Sequence, residues 1–201
     1  MPKIKHTKSE LKNQRDDLRR YARFLPTLEL KKQQLQIEVR KLNAALEDKQ
    51  TEEAGLRTEL DSWVRLFAEP FEFSAMLQLK EVRRGAGNIA GVAIPIFQEA
   101  VFERVPPDLF QTPPWLDDGL AMLERLGSLK AAQAIMETQT RLLSEELRTT
   151  TQRVNLFEKV KIPECTGSIR VIRIFLGDEQ TAAVARAKLA KGKAIVEVSS
   201  A

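Results

Sequence analysis

A seven-residue apolar repeat constrains this chain more than any other feature. Written from Leu11, one heptad position reads Leu11, Leu18, Leu25, Lys32, Val39, Leu46, Glu53, Leu60 and Phe67, and its companion reads Gln14, Tyr21, Leu28, Leu35, Leu42, Lys49, Leu56 and Trp63. Thirteen of these seventeen residues are apolar and the pattern holds over eight heptads, which is the narrow seam of a coiled coil rather than the wider stripe of a globular helix. The repeat predicts a helix over residues 9–67, about 90 Å long at 1.5 Å per residue, with Ser9 as its start signal. A helix with such a seam needs a partner.

Pro26 interrupts the repeat, where it removes a backbone hydrogen bond and crowds the preceding turn at a cost of about 3 kcal/mol. A kink or short break is expected there, although the heptad phase passes through it unchanged. Residues 70–114 change character: Pro70, Pro95, Pro106, Pro107, Pro113 and Pro114 exclude a continuous helix, and apolar runs at Met76–Leu79 and Ile89–Phe97 flank the turn-prone Arg83-Arg84-Gly85-Ala86-Gly87-Asn88. These residues predict a β-hairpin turning at 83–88, with Pro95 on an edge strand.

Helical period returns after Pro114, with Trp115, Met122, Leu129, Met136, Leu143, Thr150 and Phe157 on one position and Leu126, Leu147 and Val154 on its companion. Beyond Pro163 the seam resumes one residue out of phase, as Ile162, Cys165, Ile169, Ile172, Leu176 and Ala183, so local unwinding of the supercoil is expected beside that proline. The fold class that follows is mainly α: a long antiparallel two-helix coiled coil with a small β-hairpin region in the middle of the sequence. Its parts are a first helix over 1–69, the hairpin and loop region over 70–114, and a second helix over 115–201 with a frayed tail. The second helix is the longer, so about 15 residues of it should project past its partner.

Composition narrows the function by exclusion. With 6% aromatic and 30% charged residues the chain suits long solvated helices better than one large globular core. Cys165 is the sole cysteine, which excludes an intrachain disulfide and a cysteine-based zinc cluster, and on the seam it reads as a small hydrophobe. His6 is the sole histidine and reads as a solvated residue of a basic tail. Gly85-x-Gly87-x-x-Ala90 matches a dinucleotide fingerprint only formally, because the β-prone GVAIPIF that follows is not the required helix. Exposed carboxylate pairs such as Asp16-Asp17, Glu52-Glu53 and Asp117-Asp118 lack a pocket to shift a pKa. No cofactor, metal site or catalytic residue is expected. No apolar run is long enough to span a bilayer, and no signal peptide is apparent.

The charge, +4 overall, is unevenly placed: residues 1–25 carry eight Lys/Arg against three Asp/Glu, and residues 166–201 carry six against three. In an antiparallel hairpin the two segments share one end. That end suits either plain solubility or an acidic, enclosing partner; nucleic acid fits poorly because aromatics are not interleaved with the bases.

Three segments, in this order, resemble the D-subunit family of V-type (V/A-type) ATPases. Thr7-Lys8-Ser9-Glu10-Leu11 resembles the family's opening PT-R-x-x-L, Asn88-Ile89-Ala90-Gly91-Val92-x-Ile94-Pro95 resembles N-x-x-GV-x-[IL]-P, and Arg153-Val154-Asn155-Leu156-Phe157-Glu158-Lys159-Val160-Lys161-Ile162-Pro163 resembles RVNALE-x-x-x-IP. The family's LLK-x-KRD-x-L appears only as Thr27-Leu28-Glu29-Leu30-Lys31-Lys32-Gln33-Gln34-Leu35, which marks a divergent branch. The motif residues carried over are Arg153, Val154, Asn155, Glu158, Ile162, Pro163, Gly91, Val92 and Pro95.

The resemblance implies the central rotor shaft of a rotary motor, not an enzyme, held peripherally on the cytoplasmic side of a membrane with no direct insertion. Its implied partners are the catalytic A and B subunits of the head, the F subunit, and the funnel-like stalk subunit (C or d) that links to the membrane ring. It also implies that the termini lie inside the head, which makes Lys8, Lys12, Arg15, Arg19, Arg170, Arg173 and Arg186 candidate contacts there. A prefoldin-like coiled-coil chaperone or scaffold is the alternative, but it would expose apolar residues at its helix tips, where this chain has Lys3, Lys5, Lys8, Lys12, Arg170 and Arg173.

Overall fold

The structure is a computed structural model that describes residues 5–61, 76–106 and 112–199, with the side chains of 193–199 left out. Lys3, the seam residues Trp63 and Phe67, and Pro70 and Pro107 lie outside the described residues. In chain order the elements are α1 (Lys8–Asp61), a hairpin of β1 (Leu77–Ile89) and β2 (Val92–Arg104), α2 (Leu116–Leu156), a π-helical turn (Phe157–Lys161) and α3 (Ile162–Ser199). This is the mainly helical class with a central two-stranded antiparallel hairpin that the repeat and the Pro/Gly-rich middle predict.

Helix α1 begins one residue before the expected Ser9, and its cap is Thr7. The Thr7 Oγ1 accepts the Glu10 backbone N–H at 3.2 Å, and the Thr7 carbonyl takes the Leu11 N–H at 3.0 Å. Thr7-x-x-Glu10 is a capping-box pattern, a stronger start signal than Ser9 because the hydroxyl sits three residues before an acidic side chain. Every seam position from Leu11 to Leu60 is buried or half-buried, the polar Gln14, Lys32, Lys49 and Glu53 included. The helix passes Pro26 without a break. Pro26 and Ala22, whose carbonyl loses its donor, are both exposed, so water can take the place of the missing hydrogen bond.

The chain divides into two compact units, one formed by Met1–Leu30 with Thr150–Ala201 and the other by Lys31–Thr149. In the second unit α1 and α2 run antiparallel, since partners rise along one helix as they fall along the other. Lys31 pairs with Glu146 at 2.6 Å, the Gln133 amide donates to the Lys49 carbonyl at 3.0 Å, and Lys130 lies 3.3 Å from Glu53.

The hairpin folds back along this helix pair. Its Ile94 joins Leu35 of α1 and Leu143 of α2 in one buried cluster, with Val39, Leu42, Leu147, Ile89, Ala90 and Val92 packed around it. The Gln139 side chain donates to the Pro95 carbonyl, and Arg104 is ion-paired with Asp117. A side chain the size of leucine contributes about 1.5–3 kcal/mol when fully buried, so the apolar cluster, rather than the exposed ion pairs, dominates this docking.

The turn of the hairpin is not where the glycines suggested. Residues 83–88 are extended within β1, and the chain reverses at Ala90-Gly91, with φ of 51° and 83°. Two consecutive positive φ values between paired Ile89 and Val92 make the tight reversal that suits a right-twisted hairpin, and the Asn88 Oδ1 secures it by accepting the Gly91 N–H at 2.9 Å. A Cβ at Gly87 would lie 2.6 Å from Ile96 Cδ1 on the facing strand, so any larger residue there would require that exposed side chain to move aside. The register shifts twice, between Leu79 and Glu81, where Lys80 of β1 is the extra residue, and between Arg83 and Arg84, where Gln98 of β2 is.

Candidate functional site

In the first unit, the start of α1 pairs antiparallel with the π turn and α3. Tyr21 and Phe157 stack at 5.0 Å between ring centroids, and His6 and Phe175 at 4.7 Å. His6 is exposed, as its reading as a solvated residue has it, and also touches an exposed aromatic ring, a contact no sequence spacing announced. Thr150, Val154, Cys165, Ile169 and Ile172 are buried along this seam. Burial, reinforced by the negative charges of Asp17 and Glu164, pushes the Cys165 thiol above its ordinary pKa. A thiol held protonated is a poor nucleophile or metal ligand, which agrees with its reading as a small hydrophobe.

The re-phasing beside Pro163 has a definite structural form. Proline at 163 cannot donate to the Lys159 carbonyl four residues back, and the backbone widens into a π turn over Phe157–Lys161 in which the Ile162 N–H bonds the Phe157 carbonyl. One extra residue is thereby absorbed. Val154 on one side and Cys165, Ile169 and Ile172 on the other all reach the seam, although their spacing breaks the heptad by one. Of the motif residues here, Val154 is buried and Ile162 half-buried, whereas Arg153, Asn155, Glu158 and Pro163 are exposed. In the hairpin, Gly91 forms the turn, Val92 packs on the buried cluster and the Pro95 carbonyl receives Gln139.

The candidate basic contacts Lys8, Lys12, Arg15, Arg19, Arg170, Arg173 and Arg186 are all exposed and all belong to the first unit. Arg19 is the exception among them in having a carboxylate within reach, Asp16 at 3.8 Å, a loose pair with little energetic weight. Among the described residues, none of the other six is ion-paired. The pairing that begins with Tyr21 and Phe157 ends near His6 and Phe175, yet α3 continues to Ser199. Every residue from Gly177 to Gly192 is exposed, Val184 at 57% and Leu189 at 69%. This stretch, with Arg186, Lys188 and Lys191, is the projecting single helix expected from the unequal lengths.

The second unit contributes a charged layer that corrects the reading of Glu52-Glu53 as an exposed pair, because Glu53 falls on the seam and is buried there. Glu53 is 9% exposed and Gln133, 8% exposed, occupies the facing seam. Arg57 approaches the Glu53 carboxylate at 2.8 Å and Lys130 at 3.3 Å. The Gln133 amide, with Lys130 and Arg57, holds the Glu53 carboxyl below its ordinary pKa. Lys49 and Arg125, at 2.8 and 3.7 Å, do the same for Glu52.

An open groove of about 740 Å³ lies beside this layer, lined by Phe97 and Phe102 of the hairpin and Leu129 and Met136 of α2. Its charged and polar lining includes Lys49, Glu52, Glu124, Arg125 and Ser128. Among the described residues no cluster of His, Cys, Asp or Glu could hold a metal, and no helix is long and apolar enough to cross a membrane.

A family model described as the ATP synthase D subunit matches residues 10–192. A V-type ATP synthase D subunit from Borreliella burgdorferi is 46% identical over 195 residues, spanning 97% of this chain and 96% of the relative. The proteins of the same name from Chlamydia felis and from Chlamydia trachomatis serovar L2 are 34% and 35% identical, each alignment covering 94% of this chain and 93% or more of the relative.

Proposed function

The chain belongs to the ATP synthase D-subunit family, and we propose that it is the central stalk of a V-type ATPase, a non-catalytic rotor shaft that transmits torque between nucleotide turnover in the head and ion movement through the membrane ring. It is part of a V-type ATP synthase complex and holds to the membrane peripherally, on the cytoplasmic side. The observation that carries the reading is the first unit's asymmetric end: paired helices close over a buried seam as far as Ile172, with the His6–Phe175 ring contact beyond it, and one basic helix continues over Gly177–Gly192 with every residue exposed and no partner among the described residues.

An isolated helix of that length is marginal in water, and exposed Val184 and Leu189 have nothing to pack on among the described residues. A surrounding sleeve of acidic and apolar surface would meet both needs. The catalytic A and B subunits of the head supply that sleeve in this reading, with Lys8, Lys12, Arg15, Arg19, Arg170, Arg173 and Arg186 as contacts, and Arg153, Asn155 and Glu158 exposed beside the π turn. The F subunit binds the side of the second unit and the funnel-like stalk subunit (C or d) joins the shaft to the ring. Exposed Lys8, Lys12, Arg170 and Arg173 stand beside exposed Val171, Ile174 and Phe175, so the match to the D-subunit family, and not the polarity of the tip, is what favours a stalk over a prefoldin-like chaperone or scaffold.

Co-expression with the A, B and F subunits of the same source, followed by affinity purification, tests the assignment. Recovery of this chain with the head and with F is expected; failure to assemble with either would remove the stalk reading.

A further inference from the structure

We infer that the charged layer formed by Lys49, Glu53, Lys130 and Gln133 is a register lock, the device that selects one axial alignment of α1 against α2 in the second unit. The apolar seam does not select it. Leu28, Leu35, Leu42 and Leu56 stand on one seam position of α1 and Val39, Leu46 and Leu60 on the other, so a slide of seven residues exchanges apolar for apolar side chains except where Lys32, Lys49 or Glu53 enters or leaves a layer. The link from Asp61 to Leu116 is too long to impose an alignment by its own length, and at the hairpin's contacts with α1, Leu35, Val39 and Leu42, a slide of seven residues keeps two of the three places apolar and brings Lys32 or Lys49 into the third.

At the charged layer the alignments differ. In the observed one, Gln133 donates to the Lys49 carbonyl at 3.0 Å, and the Glu53 carboxylate meets Arg57 of its own helix and Lys130 of the facing helix. Glu52, beside it, meets Lys49 and Arg125. A slip of seven residues, about 10 Å along the axis, breaks all the interhelical members of this set. In one direction Glu53 would face Leu123 and Leu126, which cannot pair with a carboxylate; in the other it would face Glu137 and Thr140, which adds a like charge. A buried polar group placed in a seam specifies alignment in this way, because every alternative removes its interhelical partner, even though Glu53 keeps Arg57 of its own helix. In a stalk that carries torque, such a lock resists sliding of one helix along the other, although the inference itself depends only on the helix pair.

The test is a distance distribution between nitroxide labels on cysteines introduced at exposed Gln33 of α1 and Ala134 of α2, in the full chain with Cys165→Ala. The parent is expected to show one population. Glu53→Leu with Gln133→Leu is expected to keep its helix content and to show a second population displaced by about 10 Å along the axis. If that double variant does not fold, Glu53→Leu alone is read in the same way. Glu53→Gln, which retains an amide able to bond Gln133, is expected to keep a single population. One unshifted distance in the leucine variants would overturn the inference, and so would equal splitting in Glu53→Gln and Glu53→Leu.

Discussion

At the level of single residues, the seam explains which side chains matter and which only look as though they should. Ile172 is fully buried between α1 and α3, and Ile172→Ala should lower stability by about 2–5 kcal/mol, read as the urea midpoint of the full chain. Glu53 gives a pH signature. Its folded-state pKa is depressed, so the stability it contributes is fully present above the ordinary glutamate value and is lost as pH falls below it through the folded value. The stability gap between the parent and Glu53→Gln should therefore stay level from neutral pH down to the ordinary glutamate value and then close; a gap that widened in acid would contradict the depressed pKa. Cys165 was legible in the sequence because an apolar heptad position fixes its surroundings. The ring contact of His6 was not, because no periodicity governs residues before the first turn of a helix, and Thr7 displaced Ser9 as the cap because capping depends on the hydroxyl's spacing to Glu10.

At the level of elements, local rules held where one physical demand dominated and failed where two competed. Of the kink or break expected at Pro26 no break formed, since Pro26 and Ala22 are both exposed and water can take the place of the missing bond, while the unwinding expected beside Pro163 did form, as the π turn over Phe157–Lys161. The turn assigned to residues 83–88 moved to Ala90-Gly91 because two glycines in a strand read like a turn until the facing side chains are known; Gly87 leaves room for Ile96.

The π turn carries its own prediction. It absorbs one residue, so deleting Lys159 together with Pro163→Ala should give an uninterrupted α-helix with Cys165, Ile169 and Ile172 still on the seam. Thermal unfolding should then stay within a few degrees of the parent. Deleting Thr151 from regular helix should instead rotate the seam on one side by about 100° and lower the midpoint sharply. Equal tolerance of both deletions would mean that the phase shift is not what the π turn serves.

At the level of the whole molecule, the order of elements was readable from the period of apolar residues, but the fold-back of the hairpin onto Leu35 and Leu143 was not, since it depends on contacts between segments about fifty residues apart or more. The charged end was visible as composition, and the structure adds that its cations are exposed and that one helix outruns the other. The central claim is that this chain is a shaft whose projecting helix is gripped by a catalytic head. ATP-driven ion transport by the assembled complex, measured with this chain intact and truncated after Leu176, tests it most directly. Loss of coupled transport with the F subunit still bound is the predicted result. Full coupled transport by the truncated complex, or loss of F along with the helix, would contradict the account.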